Sequence, residues 1–273
     1  LYSSAASDVY KRQKNSTSFF LLISLILGLA LYTALFSSCV YEDLSKCSRM
    51  FMLQPRYLLH TGEGDRFGEA VHHIDVYAFD SLGIYRKMFR DKGAHLKNGY
   101  RMPIDLPEGK WTFLCLGGKV GDYEIGIFKT GIPQQFSPAV SPGITTLSDF
   151  RVKAYFEQKE NLEYSLGELF FGRLDSVEIT ADNGGTGVVD LMKNTNKIEV
   201  RVKGIADGSS ARITSDNGRF NSENVTPADA GTIIYVPYYS ASQADDTRVF
   251  QFDVLRLYTD GHLFLKLLNP DGT

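Results

Sequence analysis

The chain has 273 residues and a formal net charge of −3, from 29 basic and 32 acidic side chains. Nucleic-acid binders carry a basic surplus or a basic stripe; neither occurs here, and that class is set aside. Glycine is frequent at 25, Phe and Tyr number 18 and 15, and Trp111 is the sole tryptophan, a profile of strands and turns more than of helices.

Residues 1–13 read as foreign. Asp8-Val9-Tyr10-Lys11-Arg12-Gln13 resembles a translated sequencing adapter, and the chain has no initiator Met, so this stretch is left out of the fold reading. Residues 14–38 read as a secretory signal: Lys14, an uncharged run from Phe19 to Phe36, then Ser37 and Ser38 before Cys39. Small residues before a cysteine mark a bacterial lipoprotein signal, in which the thiol receives palmitate-type acyl chains and the cysteine becomes the first mature residue. Phe36 stands where such signals usually place Leu. The alternative is an uncleaved anchor, since ~18 apolar residues just span a bilayer. The Ser37-Ser38 pair, for which an anchor has no need, favours the lipoprotein. One acyl chain binds membranes only reversibly; two or three make attachment effectively permanent.

Residues 39–46 form a tether containing Glu42 and Asp43. With Cys39 acylated, Cys47 and Cys115 remain in an oxidising compartment, where they form either a disulfide or two buried free thiols. A first strand is expected over 50–60. Ile74, Val76 and Ala78 then alternate with Asp75, Tyr77 and Phe79, and Asp80-Ser81-Leu82-Gly83 turns the chain into a strand over 84–89. Further strands are expected at 100–106, 111–116, 150–156, 163–171 and 175–180, with a proline-bearing loop over 131–143. Asp182-Asn183-Gly184-Gly185 marks a boundary between a sandwich over 47–187 and another over 188–273. In the second, Ile198, Val200 and Val202 alternate with Glu199, Arg201 and Lys203, giving an apolar face and a charged face. Strands follow at 211–214 and 232–236. Thr259-Asp260-Gly261 reads as a hairpin turn between strands 249–258 and 262–268. The expected class is all-β, a sandwich architecture.

Chemistry-bearing motifs are sparse. His72 and His73 are adjacent, so a strand sends them to opposite faces; His60, His95 and His262 are isolated. No H-E-x-x-H, C-x-x-C, phosphate loop or G-x-S-x-G elbow occurs. Gly62-Glu63-Gly64 runs on to Gly68, one residue too long for a dinucleotide fingerprint. Asp182 with Asp190, and Asp245 with Asp246, fit no calcium-loop spacing. No catalytic, cofactor or metal residue is assigned.

Taken in order, Cys39, VYEDLSKC, HIDVYAFDSLGIY, DLPEGKWTFLCLGG, LMKNTNKIEVRVKG, DNGRF, YVPY and VLRLYTDGHLFLKLLNPDG form a set that resembles the fimbrial anchor lipoproteins of Bacteroidales type V pili, the minor fimbrillin-associated family. The resemblance spans 39–273. It implies two tandem transthyretin-like β-sandwiches and a structural role without a cofactor. It also implies a surface-exposed outer-membrane lipoprotein that limits pilus length and meets a fimbrial shaft or accessory subunit through strands. Glu42-Asp43 resembles the export signal of such lipoproteins. Family members continue past Thr273, so the turn Asn269-Pro270-Asp271-Gly272 reads as truncation of the second sandwich, with Leu263, Leu265 and Leu267 poorly covered at its edge. The rival reading is a surface glycan-binding lipoprotein with Tyr235, Tyr238 and Tyr239 as a platform. A secreted hydrolase has only scattered carboxylates in its favour. Cys39→Ala is expected to leave an unprocessed precursor that no longer labels with a fatty-acid analogue; normal labelling and maturation of the variant overturn the lipoprotein reading.

Overall fold

The computed structural model describes residues 50–58, 64–129, 135–154, 161–162, 165–180, 184–243, 245–259 and 261–272. The apolar run, Cys39, the tether and Cys47 lie outside the described residues. Among the described residues no helix is long and apolar enough to cross a membrane.

The central element is an antiparallel sheet of β12 (Met192–Lys193), β10 (Leu169–Ile179), β5 (Gly109–Gly118), β2 (His73–Phe79) and β3 (Tyr85–Lys92), in that order. Period-two alternation along β2 and β5 is that of strands, and both of their faces are buried. Ile74, Val76, Ala78, Phe113, Cys115 and Phe170 enter one apolar cluster, while Tyr77, Phe79, Leu114, Leu116, Leu169 and Phe171 enter another. Asp75 shares the second face at 0% exposure. Its carboxylate accepts Arg90 Nε–H and Nη2–H at 2.7 Å each and lies 2.9 Å from His73 Nε2. A buried charge is tolerated only when paired and hydrogen-bonded in this way.

Each face has its own cover. The first is β11 (Thr186–Asp190), β1 (Phe51–Arg56) and β4 (Met102–Ile104), with β1 parallel to β11 and antiparallel to β4. The Phe51 ring stacks on Phe113 at 5.9 Å. The second cover is β15 (Arg219–Asn221), β8 (Phe150–Ala154), β6 (Tyr123–Lys129) and β7 (Gln135–Ser137). Phe150 reaches Tyr77 at 5.3 Å and Phe79 at 5.9 Å, and Phe220 meets Phe171 edge-on at 5.6 Å.

Two further sheets follow: β13 (Thr195–Lys203), β18 (Thr247–Leu255) and β17 (Tyr239–Ser242); and β19 (Leu263–Leu268), β14 (Ser210–Ser215), β16 (Ile233–Tyr235) and β9 (Asn161–Leu162). Their core residues Ile213, Tyr235, Phe250, Phe252 and Val254 join the same cluster as Phe150. Ile198, Val200 and Val202 pack on this cluster half-buried, as suits an edge strand. Glu199 and Arg201 point outward and pair at 2.6 Å. Among the described residues a short α-helix, Phe67–Ala70, interrupts the strands before β2.

Several expectations need correction. The boundary at 187/188 falls inside β11, which is bound to β1. The change of sheets comes at Asn194, between β12 and β13. There the Asn194 N–H donates to Leu169 O at 2.7 Å and its own carbonyl accepts Arg256 N–H at 2.8 Å. The expected loop 131–143 contains β7. The strands read at 163–171 and 175–180 join in β10, whose register shifts between Leu174 and Val177 with Ser176 at φ 55°; a bulge with a left-handed residue looks like a turn in sequence. The expected hairpin between 249–258 and 262–268 does not form. β18 pairs with β13 and β17, whereas β19 pairs with β14. The chain crosses between sheets there, because an Asp-Gly turn reverses direction without specifying which neighbour supplies hydrogen bonds.

Phe150→Ala should lower unfolding free energy by about 3–5 kcal/mol, since its ring holds the cover against two aromatic residues of the central sheet. Urea denaturation measures this.

Candidate functional site: an open strand edge

β19 begins at a clamp. The Asp216 N–H donates to His262 O at 3.4 Å, and the His262 N–H donates to Asp216 Oδ1 at 3.1 Å. His262 Nδ1 lies 3.0 Å from Asp216 Oδ2. Hydrogen bonding from His262 holds the Asp216 carboxyl below its ordinary 3.8. The clamp's stabilisation is therefore complete above that value and lost as pH falls through the depressed one.

The clamp sets register. Leu263, Leu265 and Leu267 stand opposite Ser215, Ile213 and Ala211 of β14. Opposed residues share a face, so this row looks into the sandwich. Ser215, Ile213 and Ala211 are 4%, 1% and 1% exposed, yet the leucines beside them are 38%, 45% and 41% exposed. Among the described residues β19 is the last strand on this side of the core. Among the described residues no strand pairs with its outer side, and no other strand exposes as many large apolar side chains. Antiparallel pairs alternate between hydrogen-bonded and non-hydrogen-bonded residues. The bonded 216/262 pair assigns Phe264 and Lys266 to β14, so the N–H and C=O groups of Leu263, Leu265 and Leu267 point to the open side. Phe264, on the opposite face, is 64% exposed and stacks on His262 at 6.4 Å.

The strands behind this edge are held by a buried polar network that the sequence did not announce. Tyr235 is 0% exposed, and its hydroxyl donates to Asn217 Oδ1 at 2.9 Å and accepts Leu255 N–H at 3.2 Å. Asn217 Nδ2–H in turn donates to the carbonyls of Leu255 and Arg256 at 3.0 and 3.1 Å. Burial pushes the Tyr235 phenol well above its ordinary value, which keeps the donor protonated. The network joins β16 to the end of β18 across the two sheets.

The other singled-out residues do not assemble into a site. Tyr235 is core; Tyr238 donates to Gln251 Oε1 at 3.3 Å; only Tyr239 is exposed, at 48%. The three tyrosines therefore form no platform. Cys115 is a fully buried free thiol whose titration is pushed up by burial; Cys39 and Cys47 lie outside the described residues, as do His60 and Asp182. Asp190 pairs with Arg56 at 2.8 Å, Asp245 accepts Thr247 Oγ1–H at 3.0 Å, and His95 binds Asp91 at 2.9 Å. Among the described residues no group of three or more His, Cys, Asp or Glu could hold a metal ion. A cleft of about 910 Å³ contains His72, His73, Lys92, Lys119 and Lys197, the lysines offset by Asp122 and Glu168, and among the described residues no Phe, Tyr or Trp lines it.

Solved structures share this fold. A candidate polysaccharide-binding protein from Bacteroides thetaiotaomicron superposes with a TM-score of 0.68 at 21% identity, over 81% of this chain and 76% of that one. A candidate adhesin from Bacteroides ovatus gives 0.67 at 22%, over 86% and 77%. The fimbrial anchor protein Mfa2 from Porphyromonas gingivalis gives 0.65 at 20%, over 82% and 78%. No curated protein matches. The chain shares the all-β fold of these proteins. A family model described as fimbrillin-A associated anchor proteins Mfa1 and Mfa2 matches residues 44–273, and the chain belongs to that family.

Tyr235→Phe should cost about 1–3 kcal/mol, because it strands the Leu255 N–H and Asn217 Oδ1 in the interior. Thermal unfolding at neutral pH measures it.

Proposed function

We propose that this chain is an outer-membrane lipoprotein, held by acylated Cys39, that anchors a fimbria to the cell surface and limits its length. Residues beyond the tether act as two tandem sandwiches, and a fimbrial shaft or accessory subunit contacts them by strand addition. The family is one of structural anchors rather than enzymes, which supports the role. The observation that carries the strand contact is the exposed Leu263, Leu265 and Leu267 row on a strand whose outer side has no neighbour among the described residues. An incoming strand gains main-chain hydrogen bonds there, and its alternate apolar side chains continue the row. A disulfide between Cys47 and Cys115 belongs to the same proposal: it would tie the tether to the buried middle of β5, and recovery of both as free thiols in exported protein removes it.

The glycan-binding rival loses its platform to the burial of Tyr235. Deleting the gene should release pili, overlong and detached, into the medium, and restoring the wild-type gene should retain them. A Leu265→Glu copy should export normally and fail to retain them. Attached pili of normal length in the deletion strain overturn the anchor role. Full retention by the Leu265→Glu copy overturns only the use of this edge.

A further inference from the structure

The cleft that holds Lys92, Lys119 and Lys197 lies at one end of the central sheet, where β3 and β5 end, β10 begins and β13 sets off into the later sheets. Its described lining runs from Ala70 to Lys197, so β19 and that strand's sheet have no share in it. The three lysines come from three elements: the end of β3, the turn after β5, and β13. Among the described residues none of them has a carboxylate within ion-pair distance. The acids nearby are already engaged. Glu168 accepts Lys193 Nζ–H at 2.5 Å, Asp122 Oδ2 accepts Gly167 N–H at 2.8 Å, and Asp75 is taken by Arg90 and His73. Counting Lys193, four ammonium groups gather against the two carboxylates of Asp122 and Glu168.

The lysines start from fixed backbone. The Lys119 N–H donates to Glu168 O at 2.9 Å. Its stem lies against Gly167, where a Cβ would come within 2.3 Å of it, and Gly118, at φ 94°, would set a Cβ 2.2 Å from Glu168 O. Lys92 stands opposite His73 in the β2–β3 ladder. Val120 and Leu166 add an apolar part to the lining. Like charges held around one cavity repel, and a bound anion relieves them. The kind of cation selects the anion. Among the described residues no arginine lines the cleft, so the planar fork that suits a carboxylate is missing. Lysines act as point charges, which suits a tetrahedral, multiply charged phosphate group.

We propose that this cleft binds a phosphate-bearing ligand, whose oxyanions Lys92, Lys119 and Lys197 hold. The inference does not rest on the anchor reading, since its readout is binding to the isolated protein.

The test uses the full-length chain purified in non-ionic detergent, with inorganic pyrophosphate titrated in a calorimeter. Pyrophosphate should bind, and added salt should weaken it. Lys119→Gln and Lys197→Gln should each weaken binding about tenfold, as expected for loss of one charged hydrogen-bond donor, whereas Lys119→Arg keeps most of it. Lys203→Gln removes the same charge from the same strand outside the cleft and should change nothing. Glu168→Gln frees Lys193 and should tighten binding several-fold, a gain that a damaged fold cannot imitate. The proposal is overturned if pyrophosphate does not bind, if Lys203→Gln weakens it as much as Lys197→Gln, or if Glu168→Gln fails to tighten it. An oligoglutamate peptide that binds where pyrophosphate does not also overturns it and assigns the cleft to an acidic protein segment. Micelles doped with phosphatidic acid are the second probe. If they displace pyrophosphate at a lower phosphate concentration, the group belongs to a lipid headgroup; if they do not, it belongs to a soluble phosphate compound.

Discussion

Burial of both faces of one sheet governs the rest of the architecture. β2 and β5 present apolar side chains up and down, so neither face can be left to water, and two separate covers are required. β11, β1 and β4 supply one, and β15, β8, β6 and β7 the other. Because β15 comes from residues 219–221 and β8 from 150–154, the second cover can be completed only by a chain that returns from its later half. The same cluster then runs on through Phe220 to Tyr235 and Phe252. The late strands are thereby committed to the early ones, and residues 48–273 form one contact unit.

Much of this was legible in the residues, and the misses have physical causes. Strands stood out wherever β-branched or aromatic residues alternated, as in 74–79, 111–116 and 198–203. What alternation could not convey was how many layers lay above a strand: Tyr77, Phe79, Leu114 and Leu116 occupied positions that a two-layer sandwich leaves wet. Asp75 was equally opaque, because a carboxylate among apolar neighbours reads as solvent-facing until Arg90 is brought beside it from the next strand. Short strands such as β7, β15 and β17 carry too few residues to show a period. β11 was hidden by glycines that mark a turn and also fit a strand crowded by Phe51: a Cβ at Gly187 would come within 2.6 Å of its ring.

The edge was the part of the candidate site that sequence conveyed best, since a run with Leu at every second position needs a cover on one side. Its neighbours were harder to foresee. The partner of β19 was read as β18, the strand before it in the chain, whereas Asp216 captures His262 and lays β19 beside β14. That choice puts the leucine row in the plane of Ala211 and Ile213. The Tyr235–Asn217 network keeps this geometry fixed, because its donors and acceptors come from β16, the turn after β14 and the end of β18, and any sliding of one sheet over the other would leave several of them unpaired in the interior.

The parallel pairing of β1 with β11 has a mechanical consequence. The chain enters the fold at Phe51, at one end of β1, and leaves the first sheets at Asn194, just past the far end of β11. A pull applied between these two points draws β1 one way and β11 the other along their common axis. The ladder from Met52–Thr186 to Arg56–Asp190 is then loaded in shear, all of its bonds sharing the force at once, rather than opened one bond at a time like a zipper. The antiparallel partner β4 grips β1 from the other side in the same sense. A load applied between Phe51 and Asn194 thus meets strands aligned along it, and rupture requires the whole β1–β11 ladder to fail together.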